Sequence, residues 1–286
     1  MTALFLLGVI FLYKKGLRKS LNIGGAFETI EFRRQFTKEH PYYFNPCGTL
    51  IFSGPQGSGK TLSAVDYVTR CLKDYPLAIL CTNTAFTDMP FNCSLADDDN
   101  GGKVVVDNLT GEVVTPQYVA DRINRGDGYY VCIEYTGLDC LKYVNNGEYG
   151  VIFFIDEFHL ELNSLESKNI DIDVMVEISQ QRKQRKHIVG TSQVFMRLAK
   201  PLREQIKDVV ACHCLFGCFQ YNVVIDGEKS TEEDGKLKAV VKGRSFFFHT
   251  PKMYSRYDTY AKMKRYNQEW QGRARTNNFD LFKKEI

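Results

Sequence analysis

The chain has 286 residues, with 37 Lys and Arg against 34 Asp and Glu, 44% hydrophobic and 25% charged. That composition excludes a disordered polymer, a collagen-like fibre and a polytopic membrane protein, and a formal charge of +3 gives no argument for a nucleic-acid partner. The charge is segregated, however: residues 236–286 carry 13 basic against 4 acidic side chains, residues 1–40 carry 7 against 3, and the middle carries 17 against 27. Local charge decides which face meets a polyanion or an anionic membrane.

Residues 1–13, MTALFLLGVIFLY, are uncharged, and Lys14, Lys15, Arg18 and Lys19 follow. Thirteen helical residues span roughly 20 Å against a hydrocarbon core of about 30 Å, short for a crossing. Residues 1–20 therefore read as an apolar anchor candidate, with a membrane contact through residues 1–19 and the basic cluster on the cytoplasmic side. A helix buried against the body or a partner is the alternative. Residues 21–47, with Gly24, Gly25 and Pro41, read as a polar connector.

From residue 48 to 250, short apolar runs alternate with helix-like segments. Thr49–Ser53 reads as a buried strand, Lys60–Lys73 as a helix and Leu77–Thr82 as a strand-length run. DDDNGG (97–102) reads as a loop, and Lys103–Val106 with Val113–Val114 as a hairpin around DNLTGE. A helix at Gln117–Asn124, a strand at Tyr129–Tyr135 and a short helix at Leu138–Val144 follow, then the most apolar strand, Val151–Ile155. Residues 171–186 suit a helix, His187–Thr191 a strand and Leu198–Lys207 a helix. Val209–Phe216, Tyr221–Ile225, Leu237–Lys242 and Phe246–His249 read as β structure. The alternation predicts a mostly parallel sheet with helices on both faces. Residues 251–286 form a basic tail with Tyr254, Tyr257, Tyr260 and Tyr266.

Nine scattered cysteines fit a reducing compartment with free thiols. Cys212, His213, Cys214 and Cys218 are the candidate metal ligands. Strand alternation puts Cys212 and Cys214 on one face and His213 on the other, so the expectation is structural.

The deciding motif is GPQGSGKT, Gly54–Thr61, between an apolar strand and a helix. This is the P-loop pattern; together with the adjacent pair Asp156–Glu157, which favours the hydrolysing class over GTPase-like proteins and small-metabolite kinases, it points to a P-loop NTPase of the RecA/ASCE-like α/β type. Gly54, Gly57 and Gly59 let the backbone curl so that several N–H groups converge on one anion. Pro55, Gln56, Ser58 and Leu62 complete the expected nucleotide-binding stretch, and the helix start adds its positive end. Lys60 would reach the β and γ phosphates of ATP, and Thr61 would offer a hydroxyl to Mg²⁺. In VIFFIDEFH (151–159), Asp156 falls at the carboxyl end of a buried strand, where ligands of open α/β sheets collect. Asp156 is the second metal candidate, and Glu157 the candidate base that activates water. In HIVGTSQ (187–193), Gln193, then Ser192, would sense the γ-phosphate. The run QQRKQRKH (180–187) reads either as a solvated helix face or as a source of arginines for phosphates; Arg182, Arg185, Arg197 and Arg203 are the candidates to act on a neighbour's ATP.

These elements together resemble the zonular occludens toxin-like family of filamentous-phage assembly and export ATPases, within the FtsK/HerA superfamily. The resemblance covers roughly residues 48–260 and rests on GPQGSGKT, Thr82–Asn83, IDEFH, RKHIVGTSQ with Arg197, Pro201, Leu202 and Arg203, and YDTY at Tyr257–Tyr260. It implies an Mg²⁺-dependent ATPase that moves phage DNA, or a DNA–protein complex, during virion assembly or export. It also implies a homo-oligomeric ring, such as a hexamer, with an arginine such as Arg203 reaching across subunits. Other phage assembly or capsid proteins would be partners. The expected location is the host cytoplasm at the inner face of the cell membrane. A capsid DNA-packaging ATPase of the same superfamily and a nucleotide-gated membrane scaffold with little turnover are the alternatives. A secreted effector is not expected, because neither a signal peptide nor a disulfide pattern is present.

Overall fold

A computed structural model describes residues 23–98, 102–162, 172–195, 198–233 and 236–257. The anchor candidate at 1–19, Arg197, part of DDDNGG and the tail from 258 onward lie outside the described residues. The chain divides into two compact units between Tyr43 and Phe44. In the first, where the sequence suggests only a polar connector, helix α1 covers Ile23–Glu39. Phe36 stacks on His40 at 4.6 Å and meets Tyr43 edge-on at 4.8 Å, which closes the end of the helix. Among the described residues no helix is long and apolar enough to cross a membrane.

The second unit is built on a ten-stranded sheet. Its elements in chain order are β1 (Gly48–Ser53), α2 (Lys60–Asp74), β2 (Ile79–Thr82), β3 (Cys93–Asp97), β4 (Lys103–Asp107), α3 (Pro116–Asn124), β5 (Val131–Glu134), α4 (Cys140–Tyr143) and β6 (Val151–Ile155). Then come α5 (Ile172–Ser179), α6 (Gln181–Gln184), β7 (Lys186–Ser192), α7 (Lys200–Arg203), β8 (Ile206–Leu215), β9 (Phe219–Asp226), the small hairpin β10 (Thr231–Glu233) and β11 (Lys236–Lys238), β12 (Val241–Phe248) and α8 (Pro251–Tyr254). The sheet order is β12-β9-β8-β1-β7-β6-β2-β5-β3-β4. From β8 to β3 every pair is parallel; β4, β9 and β12 add antiparallel edges. This is the α/β P-loop NTPase architecture.

Both faces of the parallel strands are covered, which is why they read as continuous apolar runs. In β6, Ile152 and Phe154 face one way and pack with Leu62, Val65, Val68 and Leu72 of α2. Val151, Phe153 and Ile155 face the other way, toward Val174 and Ile178 of α5 and Leu202 of α7. Each such fully buried side chain contributes about 1.5–3 kcal/mol.

Several expectations are corrected. The helix expected at Leu198–Lys207 is only the four residues of α7, because β8 begins at Ile206 and pairs with β1. The helix expected over 171–186 is broken: Gln180 has ψ 10° and ends the first segment, and Arg185 at φ 56° ends the second. Strand β3 carries no clear signal in the sequence, and β4 pairs with it antiparallel; Val113 contributes a single bridge to Val106. Cys212 is buried in the core, Cys214 half-buried and Cys218 exposed. No metal-binding group of three His, Cys, Asp or Glu side chains exists among the described residues.

One buried histidine links the fold to pH. His187 lies at the start of β7, with Nδ1 2.8 Å from the Gly48 carbonyl and Nε2 2.9 Å from the Tyr67 hydroxyl. Nδ1 must therefore donate, and Nε2 accepts from Tyr67. Burial pushes the His187 pKa down to about 4. The unfolded chain takes up this proton near pH 6.5 and the folded chain does not, so stability falls as pH drops from 6.5 toward 4. The loss approaches about 3 kcal/mol for this one group. Denaturant unfolding at pH 7, 6 and 5 should show it, and His187→Asn, which keeps a donor for Gly48, should flatten the dependence. An unchanged slope in the variant would remove His187 as its source.

Candidate functional site

The P-loop follows β1 and enters α2 at the carboxyl edge of the sheet. Pro55, Gln56 and Gly57 form its exposed crest, whereas Ser58 and Lys60 are buried. Gly57 and Gly59 have φ +79° and +76°, values that an L side chain rarely adopts. The Gly54 amide donates to the Ser192 carbonyl at 3.2 Å, which ties the loop to the end of β7. Leu62 points away from the loop into the core.

Strand β6 lies two places from β1, with β7 between them. That order brings the ends of β6 and β7 to the mouth of the loop. Thr61 Oγ1 donates to Asp156 Oδ1 at 3.0 Å, and the Thr191 hydroxyl donates to the same oxygen. Asn83, at the end of β2, clamps the Asp156 backbone from both sides: its Nδ2 donates to the carbonyl at 3.0 Å, and its Oδ1 accepts from the amide at 2.9 Å. Burial raises the Asp156 carboxyl above its ordinary value; the hydroxyls of Thr191 and Thr61 and the Lys60 charge work against this, and the Glu157 charge adds to it. A hydroxyl and a carboxylate facing each other are hard oxygen donors of the kind Mg²⁺ takes, so Thr61 and Asp156 fit that ion.

Glu157 adopts φ 52°, ψ 44°, a left-handed conformation unusual for a residue with a side chain. Its amide donates to Thr191 Oγ1 at 2.8 Å, which holds that conformation. The carboxylate sits between two cationic or potentially cationic groups: Lys60 Nζ is 3.4 Å from Oε1 and His159 Nδ1 is 3.3 Å from Oε2. The second is a charge contact without hydrogen-bond alignment, and Oε2 is buried with no hydrogen bond. Strain and an unsatisfied buried oxygen of this kind concentrate at functional sites.

The structure therefore brings Lys60, Thr61, Asp156 and Glu157 together. Ser192 is fully buried, its hydroxyl donating to the Val194 carbonyl at 3.0 Å, and Gln193 follows it at the same edge, half-exposed. Arg182, Arg185 and Arg203 are elsewhere. Arg185 precedes β7 and Arg203 precedes β8, both at the amino edge, a strand length of about 20 Å from the P-loop of their own chain. Arg203 Nη1 donates to the Leu198 carbonyl at 3.1 Å. From that edge Arg185 and Arg203 do not reach the P-loop of their own chain. Sequence reasoning overlooks Thr191, which organises both acidic residues. The readable signal is a hydroxyl at the end of an otherwise apolar strand.

No protein-family model matches the chain, and no curated protein matches it. Among solved structures, it is similar to the N-terminal domain of zonular occludens toxin from Neisseria meningitidis (14% identity, TM-score 0.45, covering 75% of this chain and 100% of that one). It is also similar to the genome packaging NTPase B204 of Sulfolobus turreted icosahedral virus 2 in complex with ATP-gammaS (10% identity, TM-score 0.38, 68% and 97%). The flagellar accessory protein FlaH from Methanocaldococcus jannaschii is a third (11% identity, TM-score 0.35, 69% and 90%).

Proposed function

We propose that the chain is an ATP-hydrolysing motor that moves phage DNA during virion assembly or export. The observation that carries hydrolysis is the Glu157 carboxylate, held by a strained backbone beside Lys60 with one buried oxygen unsatisfied. The P-loop amides and Lys60 would bind the β and γ phosphates. Thr61 and Asp156 would hold Mg²⁺, which when bound supplies positive charge against the phosphate oxygens. Glu157 would accept the proton of the attacking water, and Gln193, on the edge between the two acidic residues and the loop, would sense the γ-phosphate. Arg203, Arg182 and Arg185, remote from their own P-loop, suit a ring in which one subunit's arginine meets its neighbour's nucleotide. The assignment of phage DNA as cargo rests on the motifs that resemble phage assembly ATPases, and residues 1–19 would bring the ring to the inner face of the host membrane.

The test is Mg²⁺-dependent ATP turnover by the full chain with and without single- and double-stranded DNA. DNA should stimulate turnover. Little turnover with or without DNA, in a chain that still binds ATP, would favour a nucleotide-gated scaffold. Deleting residues 262–286, which carry 7 basic and 3 acidic side chains, should weaken DNA binding by about tenfold and lower its salt dependence while ATP binding holds. Equal loss of both would count against the tail as the DNA contact.

A further inference from the structure

Behind the P-loop lies a buried polar chain that the hydrolysis reading does not use. Strand β9 turns Gln220 and Asn222, two residues apart and so on one face, toward α2. Both are buried, Gln220 completely. Gln220 Nε2 donates to the Ser58 carbonyl at 3.0 Å and to Asn222 Oδ1 at 2.7 Å; Asn222 Nδ2 donates to Ser63 Oγ at 3.1 Å. On the other side, His249 Nε2 is 3.0 Å from Gln220 Oε1, and His249 Nδ1 is 2.6 Å from the Tyr254 hydroxyl.

These contacts set the tautomer of His249. Both amide hydrogens of Gln220 are committed, so Oε1 can only accept, and His249 Nε2 must carry a hydrogen. Nδ1 of the neutral ring then accepts from Tyr254. Burial holds His249 below its ordinary pKa, in keeping with a neutral ring.

The consequence for the loop follows from peptide geometry. The peptide joining Ser58 to Gly59 is planar and trans, so its C=O and N–H point in opposite directions. Drawing the Ser58 carbonyl back to Gln220 turns the Gly59 N–H the other way, toward the concave side of the loop. A Cβ on Gly59 would lie 2.0 Å from Gln220 Oε1, so the amide packs directly on the glycine and leaves no space for a side chain there.

We propose that Gln220 is a positioning residue for the nucleotide phosphates: it aims the Gly59 N–H into the P-loop, and the His249 Nε2–H, from the end of the antiparallel wing, anchors the Gln220 oxygen. The inference rests on the reading of the P-loop as a triphosphate site. It also ties that site to β9, β12 and α8, which the P-loop motif alone does not include.

The test titrates the full chain with a fluorescent ATP analogue and Mg²⁺, with steady-state turnover and thermal melting alongside. His249→Ala should weaken binding by about fivefold, the worth of one neutral hydrogen bond. His249→Gln, whose amide can donate where Nε2 did, should bind within about twofold of the parent chain. Gln220→Glu, isosteric but with a carboxylate oxygen against the Ser58 carbonyl, should weaken binding by about tenfold or more. KM should carry these effects, with kcat little changed. Unchanged affinity in His249→Ala and Gln220→Glu would overturn the positioning role and leave the nucleotide reading intact. Rescue failing in a stable His249→Gln would also overturn it. A parent chain that binds no ATP would instead sink the nucleotide reading, and this inference with it.

Discussion

Replacing Glu157 with Gln is expected to lower the rate of ATP hydrolysis by about 10³-fold while leaving MgATP bound at least as tightly as in the parent chain. The two halves of this expectation have separate causes. Glutamine fills the same space and can keep the left-handed backbone, because the Thr191 hydroxyl still receives the residue 157 amide, 2.8 Å away. It cannot accept a proton from water at neutral pH. The loss therefore falls on the chemical step. Binding responds differently. Lys60 faces Glu157 Oε1 at 3.4 Å, and both groups are largely shielded from solvent. An incoming phosphate must compete with that carboxylate for the ammonium. A neutral amide competes less, so the variant should hold ATP more firmly. Single-turnover hydrolysis with a parallel nucleotide titration separates the two effects. Turnover within about threefold of the parent would remove Glu157 from the chemistry. Weakened binding would mean that the Lys60–Glu157 pair is a support for the loop and no competitor.

The parts of this site legible in the sequence are those where one short segment carries both the fold signal and the chemistry. Gly54–Thr61 announces its own turn, helix start and phosphate contacts. Val151–Glu157 announces a buried strand and its acidic end. What could not be read there depends on strands far apart in the chain. Thr191 gains its role only because β7 lies between β1 and β6. Gln220 and Asn222 look like ordinary polar positions in an alternating strand until β9 folds back beside β8 and sets them behind the loop. The arginines show the limit in the opposite sense. Arg203 follows the motif order expected of a phosphate ligand, but the motif does not say where it lies: α7 is a single short turn that leads directly into β8 and puts it at the amino edge. The two shortened helices have different causes: Leu198–Lys207 is cut short because Ile206 already pairs in β8 with β1, whereas 171–186 is interrupted within its own length, at Gln180 and again at Arg185. Helix α1 is hard to read because its face is not sharply divided, with Phe27, Ile30 and Phe32 all exposed.

A second large effect is expected at Asp156, and it runs in two directions. Asp156→Asn should abolish Mg²⁺-dependent turnover, by about 10²-fold or more, and yet make the protein more stable when no ligand is added. The carboxylate is buried, and burial raises it above its ordinary range, which marks the charged form as disfavoured there. What opposes burial is modest: the hydroxyls of Thr191 and Thr61, and Lys60, whose own ion-pair contact is with Glu157. Asparagine keeps an oxygen for both hydroxyls and leaves the Asn83 clamp on the backbone untouched, since that clamp uses only the residue 156 amide and carbonyl. It removes the charge and its repulsion toward Glu157. The gain should be about 1 kcal/mol, or about 2–4 °C in melting temperature for a domain of this size. Binding of Mg²⁺ with ATP should reverse the order, because only the parent chain offers the cation a charged oxygen. Melting curves without ligand, with ATP alone and with MgATP test this directly. A variant less stable than the parent without ligand, or one equally stabilised by MgATP, would show that the Asp156 charge serves the fold and that the cation is held by other groups.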